Sequence, residues 1–196
     1  MSTPEEILTF WFGADSDSPL ENAEAWWKSD EEFDRTIRER FAEDHAEIAG
    51  RRREGWLEEP RSALAYIIVL DQFSRNMFRG EAEMFAQDDQ AVEAALAARR
   101  EAFDEEVSPV ERVFFYMPLM HAEDEELQEL SVALFDELRR AAPEELREPL
   151  DNNYEFAVKH ADVVREFGRF PHRNEVLGRD STPDERAFLE EHGRGF

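Results

Sequence analysis

The chain repeats one four-residue device three times: Thr3-Pro4-Glu5-Glu6, Ser108-Pro109-Val110-Glu111 and Thr182-Pro183-Asp184-Glu185. Each reads as the start of an α-helix. The hydroxyl accepts from a backbone N–H that has no partner in the first turn, and the Glu three residues on reaches back to the N–H of the hydroxyl residue. Proline sits where its missing N–H costs nothing and its fixed φ is already helical. Between these starts Pro and Gly are scarce, 9 and 8 in 196 residues, and apolar residues recur three or four apart. That spacing predicts helix, and no strand-like alternation competes with it.

The pattern predicts about eight helices. The first runs from Pro4 to a stop at Gly13, and a polar loop follows it. A second, over "SDEEFDRTIRERFAEDHAEIA", sets Phe33, Ile37, Phe41, His45 and Ile48 on one stripe, with charge on the other faces. A third, "PRSALAYIIVLDQFSRNMF", has so little polar face that it should run through the centre. Then come an alanine-rich helix over 83–103, one from Ser108 that Pro118 should interrupt, "EDEELQELSVALFDELRRAA", "YEFAVKHADVVREFG" with Gly168 as its stop, and the helix opened by Thr182. Short connections make this a single all-α domain over 1–196.

Charge narrows the functions. With 48 acidic and 23 basic residues the net charge is −25, so general nucleic-acid binding and anionic membranes are disfavoured. Only Lys28 and Lys159 are lysines. An acidic, lysine-poor surface suits a halophilic setting, where salt screens self-repulsion. The absence of cysteine excludes disulfides, thiolate metal sites and a cysteine nucleophile. The opening "MSTPEEIL" lacks the basic and apolar regions of a signal peptide, and no apolar run approaches a bilayer span, so a cytoplasmic protein is expected. No cofactor motif, serine elbow or P-loop is present.

Four segments depart from acidic surface plus apolar stripe. "LDQFSRNMFRG" carries Asp71, Gln72, Arg75 and Asn76, with Asp71 and Arg75 four apart on one face and Gln72 and Asn76 likewise. "FFYMPLMHAED" places His121, Glu123 and Asp124 after Pro118, where a helix break exposes backbone polar groups. His160 falls on the apolar face of its helix and reads as a satisfied boundary histidine. "FGRFPHRNEVLGR" gathers Arg169, His172, Arg173, Asn174 and Arg179 against a single acid, Glu175. Guanidinium forks and imidazoles suit a carboxylate or phosphate. His121 and His172 are the candidates for proton transfer in an enzyme. Bland alternatives stand beside these: Arg at a helix C-terminus satisfies free carbonyls, and an arginine-rich connector clamps acidic helices. A metal site from His121, His160, His172 and Glu123 lacks the spacing of helical zinc motifs, and none is expected.

"ILTFWFG", "LDQFSRNMFRG", "YMPLMHAED" and "FGRFPHRNEVLGRDSTPDE", in that order, resemble the bacterial family called domain of unknown function 924, across roughly Ile7 to Leu189. Ser74 stands where the resemblance leads one to expect proline, and Ala122 where it leads one to expect serine. The resemblance implies an all-helical fold grouped with tetratricopeptide-like stacked antiparallel pairs, and no activity or catalytic residue to carry over. No 34-residue period is visible in the sequence. The reading that results is a binding module whose Arg/His-lined pocket (Asp71, Gln72, Arg75, Asn76, His121, Glu123, Arg169, His172, Arg173, Asn174, Arg179) takes an anionic small molecule or acidic peptide group. The alternatives are an enzyme acting on a phosphate- or carboxylate-bearing molecule, and a purely structural polar network.

Overall fold

The computed structural model describes residues 1–14, 20 and 22–193, so the loop read after Gly13 lies largely outside the described residues. The α-helices are α1 (Pro4–Phe12), α2 (Ala23–Trp27), α3 (Glu31–Ala49), α4 (Pro60–Ile68), α5 (Ser74–Met77), α6 (Asp88–Arg100), α7 (Pro109–Met120), α8 (Glu125–Ala141), α9 (Arg147–Phe167) and α10 (Pro183–His192). Among the described residues there is no strand, and no helix is long and apolar enough to cross a membrane. The chain divides into two compact units, Met1–Pro118 and Leu119–Phe196.

All three capping devices form. Thr3 and Thr182 each accept from the backbone of the Glu three residues on, whose carboxylate returns to the cap N–H. At α7 the Ser108 N–H donates to Glu111 at 2.9 Å and Glu111 N–H to Ser108 Oγ at 3.3 Å. Gly168 ends α9 with φ 70°, a left-handed conformation that glycine adopts without a Cβ clash.

In the first unit the most apolar segment is the most buried: every residue from Ala63 to Ser74 is inside. It is not one regular helix. Between α4 and α5, Val69–Phe73 forms a π-helical turn. A π turn adds a residue to one turn and breaks the 3.6-residue phase, a local irregularity often found at functional positions. Asp71 and Gln72 are thereby buried along with Val69, Leu70 and Phe73. Around this axis α1 packs on α4, α3 on α5 and α6 on α4. Trp11 sits in an aromatic cluster with Trp26, Phe33, Phe73 and Phe114, at centroid separations of 5.6 to 6.1 Å. His45, on the stripe of α3, bonds Ser74 Oγ at 2.8 Å inside this unit, using the residue that replaces the expected proline.

Unit two is built on α8 and α9. They are joined by only residues 142–146 and pack extensively on each other, which requires them to run antiparallel. Val163, Val164 and Phe170 form a core against which Phe167 and Phe188 pack.

Several boundaries differ from the sequence reading. Pro118 does not end α7, which continues to Met120. The ring removes one i→i−4 bond, but so close to the C-terminus that only a last half-turn is affected. His121 is therefore the first residue beyond the helix rather than part of a helix already broken at Pro118. Helix α9 starts at Arg147, seven residues before the expected Tyr154, with Pro149 tolerated in the first turn. The alanine-rich helix is shorter than 83–103: a 3₁₀ turn at Ala82–Phe85 precedes α6, and Ala102, at φ 59°, follows it. The short α2 was not foreseen.

Candidate functional site

The polar residues of "LDQFSRNMFRG" are organised by carboxylates of the first unit. Arg75 lies 2.9 Å from Asp71 Oδ1, as the i, i+4 spacing predicts. It also closes a two-pronged fork on Asp88 at the start of α6, at 2.9 and 3.0 Å. Burial works against the charged guanidinium, but Asp71 and Asp88 outweigh it and hold its pKa above the ordinary arginine value. Gln72 donates to Asp71 at 2.5 Å and does not pair with Asn76. Asn76 instead donates to Asp34 of α3 at 2.7 Å, and Arg79 forks onto the same carboxylate at 2.6 and 2.9 Å. Burial would raise the Asp34 carboxyl; the Arg79 and Asn76 hydrogen bonds turn the balance and keep it below the usual range.

A second polar group is built around Phe170 in unit two. The Phe170 N–H donates to Glu123 Oε1 at 2.8 Å, and Phe170 O accepts from Arg179 at 3.2 Å. Arg179 also forks onto Glu123, at 2.5 and 2.8 Å, and takes Asn174 Oδ1 through Nε at 2.9 Å. Burial alone would raise Glu123, but the Arg179 fork and the Phe170 amide lower it overall. Arg169 forks onto Glu185 at 2.6 and 2.9 Å, and this, first among its causes, takes Glu185 down to about 2. Asp124 is the N-cap of α8, accepting from Leu127 at 2.9 Å.

Around the Phe170 ring stand His160 at 5.4 Å and His172 at 5.6 Å between centroids, with the Arg173 guanidinium 4.6 Å from its centroid. Arg173 is buried and donates to His121 O at 2.8 Å, and the His121 ring lies 6.3 Å from that of His160. His160 Nδ1 is 2.8 Å from Phe156 O and must carry the proton there, since a carbonyl only accepts. Burial, then the neighbouring His121, pushes His160 down to about 3. Burial, then the Arg173 charge, pushes His172 down to about 4. Both imidazoles are therefore neutral near pH 7. Among the described residues no group of three or more His, Asp or Glu could hold a metal ion.

Within unit two, then, the structure gathers His121, Glu123, Arg169, His172, Arg173, Asn174 and Arg179, while Asp71, Gln72, Arg75 and Asn76 form their own network in the first. The sequence reading named two of the organising carboxylates, Asp71 and Glu123, and missed Asp34, Asp88 and Glu185. Asp34 precedes Ile37 by three residues and so falls on the buried stripe of α3, a visible signal. Asp88 and Glu185 gave none, because each stands in an acidic first turn like several others.

A family model described as bacterial protein of unknown function, DUF924, matches residues 7–193. The chain belongs to this family. Its DUF924 span includes all of the polar residues above. A solved structure of a protein of unknown function from Agrobacterium tumefaciens is 40% identical to this DUF924 chain, with a TM-score of 0.82 over 96% of this chain and 97% of that one. No curated protein matches.

Proposed function

We propose that this DUF924 protein is a binding module, and that the Phe170 cluster of unit two receives an anionic group, a phosphate or carboxylate, of a small molecule or acidic peptide. One observation carries the reading. A buried guanidinium, Arg173, stands over the Phe170 ring together with two histidines that burial and that same charge keep neutral. Such surroundings favour an incoming negative charge, which would accept from the guanidinium and from the His172 imidazole N–H. Binding there raises the histidine pKa values, so it takes up protons and tightens as pH falls from 7 toward 5. Thermal shift with phosphomonoesters and with acidic peptides, on wild type and Arg173→Met, tests this. A ligand that stabilises wild type by several degrees and the variant not at all supports the reading. A ligand screen in which both respond alike sinks it.

Arg169 and Arg179 favour a structural reading for their own side chains, since each fork is closed on a carboxylate. We assign them to holding the 168–182 connector. We also propose a cytoplasmic, high-salt setting from the composition, and stacking of helix pairs in the tetratricopeptide manner, with α8–α9 as one pair.

A further inference from the structure

The basic end of "LDQFSRNMFRG" has a second use, in the first unit. Arg38 on α3 turns both Nε and Nη2 onto the last carbonyl of α5, Met77 O, with Nε at 3.1 Å. Its charge has no ion-pair partner among the described residues, in a chain of net charge −25. Arg79 uses the same two atoms, Nε and Nη2, on Asp34. Both guanidinium planes are thus fixed along one edge by protein acceptors, and among the described residues neither uses its Nη1 edge. Pre-fixed planes lose little conformational freedom when they take a further acceptor. Both residues line one open groove of about 570 Å³, with Arg35, Asp34, Glu31 and Glu32.

The charges within the groove are not equivalent. Asp34, the buried member of the lining, is taken by Arg79 and Asn76 and is held ionised by Arg79 and Arg38 nearby. Arg35 is shared loosely with Glu32 at 3.6 Å and Glu39 at 3.9 Å. Glu31 and Glu32 are exposed on the first turn of α3, where the backbone N–H groups of Glu32 and Phe33 are already capped by Asp30. Arg38, Asp34 and Arg79 together therefore carry a net positive charge, while the two exposed glutamates repel extended polyanions.

We propose that this groove binds a compact anion, the phosphate or carboxylate of a small molecule, between the Nη1 edges of Arg38 and Arg79. The site is separate from the Phe170 cluster and does not depend on it. The test is a titration of ¹⁵N-labelled protein with inorganic phosphate, and separately with acetate, at constant ionic strength in KCl. The signals read are the Arg38 and Arg79 Nε–H resonances and the backbone amides of residues 31–38 and 79–80. Saturable shifts are expected in wild type, with binding weakened about tenfold in Arg38→Gln, the loss of one charge-assisted donor pair. Arg38→Lys, which keeps the charge but not the fork, should fall between, and Arg173→Met should bind as wild type. Saturation by phosphate alone identifies a phosphate group as the ligand, and saturation by acetate a carboxylate. If neither anion saturates in wild type, or if Arg38→Gln binds as tightly, the proposal is wrong.

Discussion

Arg179 meets Glu123 fork to fork, at 2.5 and 2.8 Å, across 56 positions of sequence, and the same carboxylate receives the Phe170 N–H at 2.8 Å. The pair is less than a quarter exposed on either side. Unlike the chain's many exposed pairs, it therefore keeps much of its Coulomb energy and leaves a costly group behind when one partner goes.

Removing either partner should cost about 2–3 kcal/mol of stability by urea unfolding. Glu123→Gln and Arg179→Gln should be strongly non-additive, the double variant being little worse than either single one. By contrast Arg165→Gln, which breaks an exposed i, i+3 pair with Asp162, should change stability by less than about 0.5 kcal/mol. Equal effects at the two sites would contradict the structural role given to the connector.

Acid should weaken the protein in two overlapping steps. His45, His160 and His172 all have folded pKa values below the ordinary 6.5, chiefly through burial. The unfolded chain therefore binds protons that the folded chain refuses. Stability is full above about pH 6.5 and declines as pH falls toward about 4 and 3, the folded values of His172 and His160. The carboxylates act lower. Glu185 is held at about 2 against an ordinary 4.5, so its contribution is present above about 4.5 and is lost as pH falls to about 2. Urea unfolding between pH 7 and 5 should show the first step, and His172→Asn should make it shallower. A flat profile over that range would mean the imidazoles are not buried neutral.

The helices were legible because capping and periodicity are local: Thr3, Ser108 and Thr182 each announce a start from four residues. The π turn at Val69–Phe73 was not, since its composition is that of any apolar helix and only packing from α3, α4 and α6 selects the extra residue. For the site, the sequence identified the cations and the carboxylates Asp71 and Glu123, but not most of the long-range pairings. Arg75 with Asp71 was readable at i, i+4. Arg75 with Asp88, Arg79 with Asp34 and Arg169 with Glu185 lie 13, 45 and 16 residues apart, and among 48 acids nothing local marks the right one. Phe170 was hidden as one of 16 phenylalanines.

Salt should stabilise the protein. At a net charge of −25 the folded chain works against its own repulsion, which counterions relieve as the screening length falls from about 10 Å at 0.1 M to about 3 Å at 1 M. The same salt weakens surface pairs such as Lys28 with Glu24 and Arg35 with Glu32, but exposed pairs contribute at most about 1 kcal/mol each, and many contribute nothing. The largely buried fork of Arg75 on Asp88 is screened far less. Relief of repulsion therefore wins. The thermal midpoint should climb steadily as KCl rises from 0.1 M to about 2 M, most steeply at the low end where screening changes fastest. A midpoint that stays level or falls with KCl would show that the acidic surface is tolerated without salt, and would remove the argument for a high-salt setting.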